Sequence, residues 1–269
     1  MAVKNSGLTV GVAIKDLVSG EEFLVDPDGI YPQGSSMRIH LVAELFRQAD
    51  AGKLSLTEPR KLPDSDVTGG TGVLRYMWRD TLSMSLRDYA VLMIAANDHS
   101  AANFLTDVLG MDNVNASLAA QGTPEIKFRR RAVSRREAPG GLENEGTPRS
   151  VMRALELMHA GKVVNRSTSD AIIEVLAVRE MVYFRRELPP QVLFAGRSGS
   201  GPNMRCDVGI VLLPNHPYIL CVMVKNLNLP IAGPRNYAKP DALIGTITRL
   251  AQAHFTTKPI THALPEPSE

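Results

Sequence analysis

A serine and a cation stand one helical turn apart in the run Pro32-Gln33-Gly34-Ser35-Ser36-Met37-Arg38. Residues three apart on a helix share a face, so Ser35 and Arg38 point the same way. A serine hydroxyl becomes a nucleophile only when a neighbour takes its proton, and in Ser-x-x-Lys arrangements a buried lysine of lowered pKa can do this. A guanidinium stays protonated at physiological pH and cannot act as that base. Arg38 therefore either orients Ser35 or binds an anion through its donors, or it is a tolerated cation in a vestigial site.

Two further runs carry polar groups among small residues. Met93-Ile94-Ala95-Ala96-Asn97-Asp98-His99-Ser100-Ala101-Ala102-Asn103-Phe104-Leu105 sets an amide, a carboxylate and an imidazole in succession. Imidazole titrates near neutrality and is the commonest general base, so His99 could take the Ser35 proton; the alternative is a hydrogen-bonded histidine without that part. Asp98 reads as structural, accepting hydrogen bonds from backbone near a turn. In Ala195-Gly196-Arg197-Ser198-Gly199-Ser200-Gly201, Arg197 is a good bidentate partner for a carboxylate, and with Ser198 it could hold an anionic group.

In order and spacing, these three runs resemble the motifs of class A serine beta-lactamases. Ser35 to Arg38 stands for the family's Ser-x-x-Lys, Asn97-Asp98-His99 with its Ala-Ala-Asn continuation for Ser-Asp-Asn, and Arg197-Ser198-Gly199 for the Lys-Thr/Ser-Gly strand. Asp50-Ala51-Gly52-Lys53-Leu54-Ser55-Leu56, Gly70-Thr71-Gly72-Val73-Leu74 and Thr147-Pro148 also match in place, and the likeness runs from about Leu8 to Phe255. It implies an α/β fold: an antiparallel five-stranded sheet flanked by helices, with strands from both chain ends and an all-helical lobe over about 55–190. One domain is expected over 1–255.

The resemblance also implies roles. Ser35 would be the acylated serine, and its N–H with that of Ser200 would form the oxyanion hole. Arg38 stands at the lysine base and Asn97 at a second serine that relays a proton, which an amide cannot do near neutral pH. His99 replaces an asparagine. Arg197, Ser198 and Gly199 would bind the substrate's carboxylate. The family's loop glutamate has no counterpart as Glu-x-x-x-Asn between Arg129 and Pro148; counting back from Thr147-Pro148 puts its place near Arg131, and Glu137 is the candidate substitute. Loss of a general base typically costs about 10²- to 10⁴-fold, so weak or atypical activity on a beta-lactam or related amide or ester is expected. The alternative is an impaired homologue that binds an anionic ligand or a partner without turnover.

Composition sets wider bounds. The chain has 269 residues, 44% of them hydrophobic, enough for a substantial core, and a net charge of +2, too mild to imply nucleic acid or an acidic membrane as partner. The basic cluster Lys127, Arg129, Arg130, Arg131, Arg135 and Arg136 reads as a solvated loop surface. No apolar run approaches 18 residues, so no membrane span is expected. Met1 to Ser6 holds no apolar leader segment, which reads as cytoplasmic for the chain as written, or as periplasmic or secreted if the start is an engineered truncation. No His/Cys/Asp cluster has metal-ligand spacing, and neither metal nor other cofactor is expected. The oligomeric state is not legible.

Strands are predicted at Leu8 to Asp16, Glu22 to Val25, Val192 to Ala195, Val208 to Leu213 and Ile219 to Val224. Helices are predicted from Ser35 to about Ala51, then over Leu86 to Ala96, Ala101 to Leu109, Arg149 to Ala160, Ser169 to Val178 and Pro240 to Phe255. Cys206 and Cys221 fall in one hairpin but offset from each other, which predicts two free, buried thiols. Residues 256–269 read as a disordered tail.

Overall fold

The computed structural model describes residues 3–78, 80, 82–131, 142–178, 186–230 and 236–257. In chain order its elements are β1 Thr9–Asp16, β2 Glu22–Val25, β3 Tyr31–Pro32, a 3₁₀ turn Gly34–Met37, α1 Arg38–Asp50, β4 Pro59–Lys61, β5 Ser83–Ser85, α2 Leu86–Ala95, α3 His99–Leu109, α4 Met111–Ala120, β6 Glu145–Gly146, α5 Pro148–His159, α6 Arg166–Leu176, β7 Leu193–Gly201, β8 Met204–Leu212, β9 Tyr218–Lys225 and α7 Ala238–Thr257. The main sheet has the order β2-β1-β9-β8-β7, antiparallel throughout, so the last three strands continue outward from the first.

Both faces of this sheet are covered. In β9, Tyr218, Leu220, Val222 and Val224 pack with Leu243, Ile244 and Phe255 of α7, whereas the intervening Ile219, Cys221 and Met223 join the core under the helical lobe. Alternation sends successive side chains to opposite faces, and burial on both sides makes the strands read as near-continuous apolar runs. Cys206 stands opposite Met223 and Cys221 opposite Val208, so the two cysteines are not cross-strand partners; both are free and buried, as predicted.

Caps account for the helix starts. The Asp98 side chain accepts from Ala101 N–H and starts α3 two residues before the predicted Ala101, while Asn165 caps α6 at Arg166 instead of Ser169. Thr147 and Ser150 form a reciprocal capping box on α5. Gly52, at φ +69°, ends α1 in the left-handed conformation that glycine adopts without strain. Helix α4 was not predicted, because only Val114 and Leu118, four residues apart, anchor it among polar and small residues. The paired short strands β3/β6 and β4/β5 likewise lack a periodic signal. No described helix is long and apolar enough to cross a membrane.

Candidate active site

Ser35 lies in the 3₁₀ turn that leads into α1, between the sheet edge β7 and the helical lobe. Two glycines allow this approach. A Cβ on Gly199 would lie 2.1 Å from the Gln33 carbonyl oxygen, and one on Gly34, itself at φ +52°, would lie 3.2 Å from the Ser200 backbone nitrogen. The backbone N–H region of Ser200 is thereby brought against the turn that carries Ser35. The buried Gln33 fixes that turn: its carbonyl accepts from Ser36 Oγ at 2.8 Å and from the Cys206 thiol at 3.3 Å, and its N–H donates to the Asn144 carbonyl at 2.9 Å. Ser36 is thus tied inward, while the half-buried Ser35 lines the cleft.

Arg38 follows three residues later, an eclipsed spacing in a 3₁₀ turn. It is 3% exposed, and its Nη1 donates to the Met93 carbonyl at 3.0 Å and to Asn97 Oδ1 at 2.6 Å. Burial pushes the guanidinium down to about 9, against the opposing pull of Asp98, which leaves it a cation at neutral pH. Asn97 sits in the α2–α3 turn at φ +52°, a conformation asparagine tolerates better than most residues.

Asp98 has the structural part predicted for it. One carboxylate oxygen caps α3 and the other accepts from the N–H groups of Val73 and Leu74 at 2.6 and 2.9 Å, tying down the Gly70-Thr71-Gly72 loop. A Cβ on Gly72 would strike this carboxylate, and one on Gly70 would strike His99 Nδ1. Thr71 Oγ1 donates to the Asn97 carbonyl at 2.7 Å and lies 3.2 Å from His99 Nε2. Burial, and next the charge of Arg38, push the His99 imidazole down to about 4; the Gly69 backbone and Asp98 oppose this. His99 is therefore neutral at pH 7 and a weak base.

Arg197 lies behind the cleft wall. It is 2% exposed and donates from Nη1 to the Ile94 carbonyl at 2.6 Å. Burial and the nearby Arg38 charge push it down to about 9, with Asp207 opposing. The Ser198 hydroxyl is buried, and Ser200 is exposed at the cleft. The structure thus brings Ser35, Arg38, His99 and Ser200 to one cavity of about 120 Å³, links Asn97 to it through Arg38, and sets Arg197, Ser198 and Gly199 outside its lining.

The remaining wall comes from the loop beyond α4. Glu137 lies outside the described residues, as do Arg135 and Arg136. Arg130, Arg131 and Asn144 line the cavity. Asn144 Oδ1 accepts from the N–H groups of Arg129 and Arg130 at 2.8 and 3.0 Å, and its Nδ2 donates to the Arg130 carbonyl at 3.0 Å. Arg129 pairs with Glu145, Arg130 with Glu143 at 2.7 Å, and Arg131 with the buried Asp66 and with Asp107 at 3.2 Å. The expected solvated basic surface is, at Arg130 and Arg131, an ion-paired wall of the cleft, while Arg129 is exposed as expected and pairs with Glu145. Sequence reading passed over Asn144 and Asp66; the signal available was the opposition of Arg129-Arg130-Arg131 to Glu143-Asn144-Glu145, opposite charges that pair across a closing loop.

A family model described as "Beta-lactamase enzyme family" matches residues 1–255. The beta-lactamase of Sphaerobacter thermophilus superposes with a TM-score of 0.84 at 27% identity, covering 96% of this chain and 95% of that one. A point mutant of PBP-A, solved as an acyl-enzyme complex with penicillin G, superposes at 0.82 with 21% identity over 96% and 94% of the respective chains. Beta-lactamase CTX-M-97 of Escherichia coli is 21% identical over 224 residues, 81% of this chain and 76% of its own.

Proposed function

Since the chain belongs to the beta-lactamase enzyme family, we propose that it is a serine hydrolase whose Ser35 forms an acyl-enzyme with a beta-lactam or a related amide or ester. The observation that carries this reading is the seating of Ser35 against β7. Ser35 is among the residues that line the cleft, and the glycines at 34 and 199 let the strand bearing Ser200 come close to its turn, which supports this reading. Backbone N–H groups of Ser35 and Ser200 aimed at one point would stabilise the oxyanion of a tetrahedral intermediate, typically the largest single contribution to such catalysis. Arg38 holds its charge next to the nucleophile, and Asn97 accepts its hydrogen bond, so both act by orientation and electrostatics. Arg197 and Ser198 contribute positive field and a hydroxyl from behind the wall, and the ligand class that suits this cleft is a small anionic molecule.

Proton removal from Ser35 is the weak step. Arg38 is cationic, and a His99 imidazole pushed down to about 4 takes a proton poorly at pH 7. Slow acylation and slower deacylation follow, and the same observation favours a second reading, an anion-binding homologue without turnover. Chromogenic beta-lactam and activated-ester assays on the wild type and on Ser35→Ala decide between them. Slow hydrolysis abolished in Ser35→Ala supports the hydrolase; equal rates in both proteins refute it. A His99→Gln variant with an unchanged rate of acylation assigns the histidine no part in proton transfer.

A further inference from the structure

We propose that the groove between the β1/β2 edge of the main sheet and α7 binds an amphipathic carboxylate, an alkyl chain of about ten carbons whose head group meets Lys4. A helix with its side chains is about 10–12 Å wide, whereas five strands at a spacing of about 4.8 Å span roughly twice that, so one helix cannot cover the whole face. The buried layer under α7 reaches Val10, Val12 and Ile14 of β1 and stops there. On β2, Phe23 and Val25 stand opposite Ile14 and Val12 and share their face of the sheet, yet they are 43% and 41% exposed. Leu250 of α7, 61% exposed, lines the groove with them, and the nearly buried Val12, Ile14 and Ala251 complete an apolar trough.

Size and charge select the occupant. The groove holds about 430 Å³, within the roughly 300–1,000 Å³ of small-molecule sites, and its lining is apolar apart from Lys4 and His254. His254 is already engaged: Phe23 and Phe255 meet its ring edge-on, with centroids 5.2 and 5.1 Å away, and Glu21 Oε2 lies 3.7 Å from its Nε2. Lys4 is exposed at the groove and has no ion pair or hydrogen bond among the described residues. A lysine stem lies along apolar surface while its ammonium stays in water, where an anionic head group can meet it. An alkyl carboxylate satisfies the trough and the ammonium together; an alkyl cation of the same length would meet like charge. The Ser35 turn packs with Cys206 in the core on the other face of the sheet, so this site is independent of acylation.

The experiment is equilibrium dialysis of the full chain at neutral pH against labelled decanoate, kept below its micelle concentration, with sedimentation velocity on the same samples. The expected result is saturable uptake of one decanoate per chain. Binding of decyltrimethylammonium, the cation of the same chain length, is expected to be about tenfold weaker, as is binding of decanoate to Lys4→Glu, where an exposed attraction becomes a repulsion. Leu250→Glu, which sets a carboxylate into the apolar wall, is expected to lose decanoate altogether. Both substitutions fall on exposed side chains, and the comparison of the two probes on the wild type needs no variant. Uptake that is absent, does not saturate or exceeds one per chain would overturn the proposal, as would equal affinity for the cation or unchanged binding in folded Lys4→Glu or Leu250→Glu. A wild-type dimer that Leu250→Glu dissociates would also overturn it, by giving the groove to a second copy of the chain.

Discussion

The Arg38 guanidinium donates to the Met93 carbonyl and the Asn97 side chain, so the position that could hold a titratable base beside Ser35 instead holds a fixed cation. Replacing it tests this directly. Arg38→Lys introduces an amine that can be deprotonated when buried, and the rate constant for acylation of Ser35 is expected to rise about 10²-fold, read by stopped-flow with an activated ester. An unchanged or lower rate would mean that the permanent charge, not the absence of a base, sets the pace. At this scale the sequence was partly legible. Ser35, Arg38, Asn97, Asp98 and His99 stood out through residue type and order, but the burial of Arg197 did not, because an arginine beside glycines reads the same whether its head faces a ligand or a backbone carbonyl. Asn144 was silent for a similar reason: its work is done by bonds to backbone groups that no motif displays.

Elements position these residues through a few shared anchors. Asp98 alone starts α3, fixes the loop that leads into a short 3₁₀ turn at Leu74–Tyr76, and sets the turn that presents Asn97 and His99. In Asp98→Ala three backbone N–H groups lose their acceptor together, and stability is expected to fall by roughly 3 kcal/mol, from a cap of about 1 kcal/mol plus buried donors at about 1–3 kcal/mol each with partial relaxation. Urea unfolding measures it, and a loss below about 1 kcal/mol would contradict the shared-anchor account. Strands β1 and β9 were legible because both their faces are buried and they run almost wholly apolar, whereas β8 was predicted only from Val208 because Arg205 and Asp207 interrupt its first half. Helix α4 was not, since two apolar residues make no stripe, and the short ladders that clamp the Ser35 turn and the lobe are held by neighbours distant in sequence.

Over the whole molecule, two histidines are held neutral by the fold. Burial pushes His40 and His99 each down to about 4, below the ordinary value of 6.5. The folded state then binds fewer protons than the unfolded chain between those values, so stability is full above about pH 6.5 and falls as pH drops towards 4, by up to about 1.4 kcal/mol per pH unit for each histidine. Thermal unfolding between pH 4.5 and 7.5 should show this loss, with a shallower slope in His99→Gln; an equal slope would remove His99 from the account. Burial also raises both thiols, Cys206 to about 12, and a disulfide-exchange reagent should titrate neither cysteine until the sheet opens in denaturant, when two react. The measurement that reaches the central claim most directly is intact mass after incubation with a penicillin and with an activated ester, wild type beside Ser35→Ala. An adduct of the acyl mass, mapped to the peptide carrying Ser35 and absent from Ser35→Ala, is the predicted result. No adduct with either reagent, or an adduct that persists in Ser35→Ala, would contradict it.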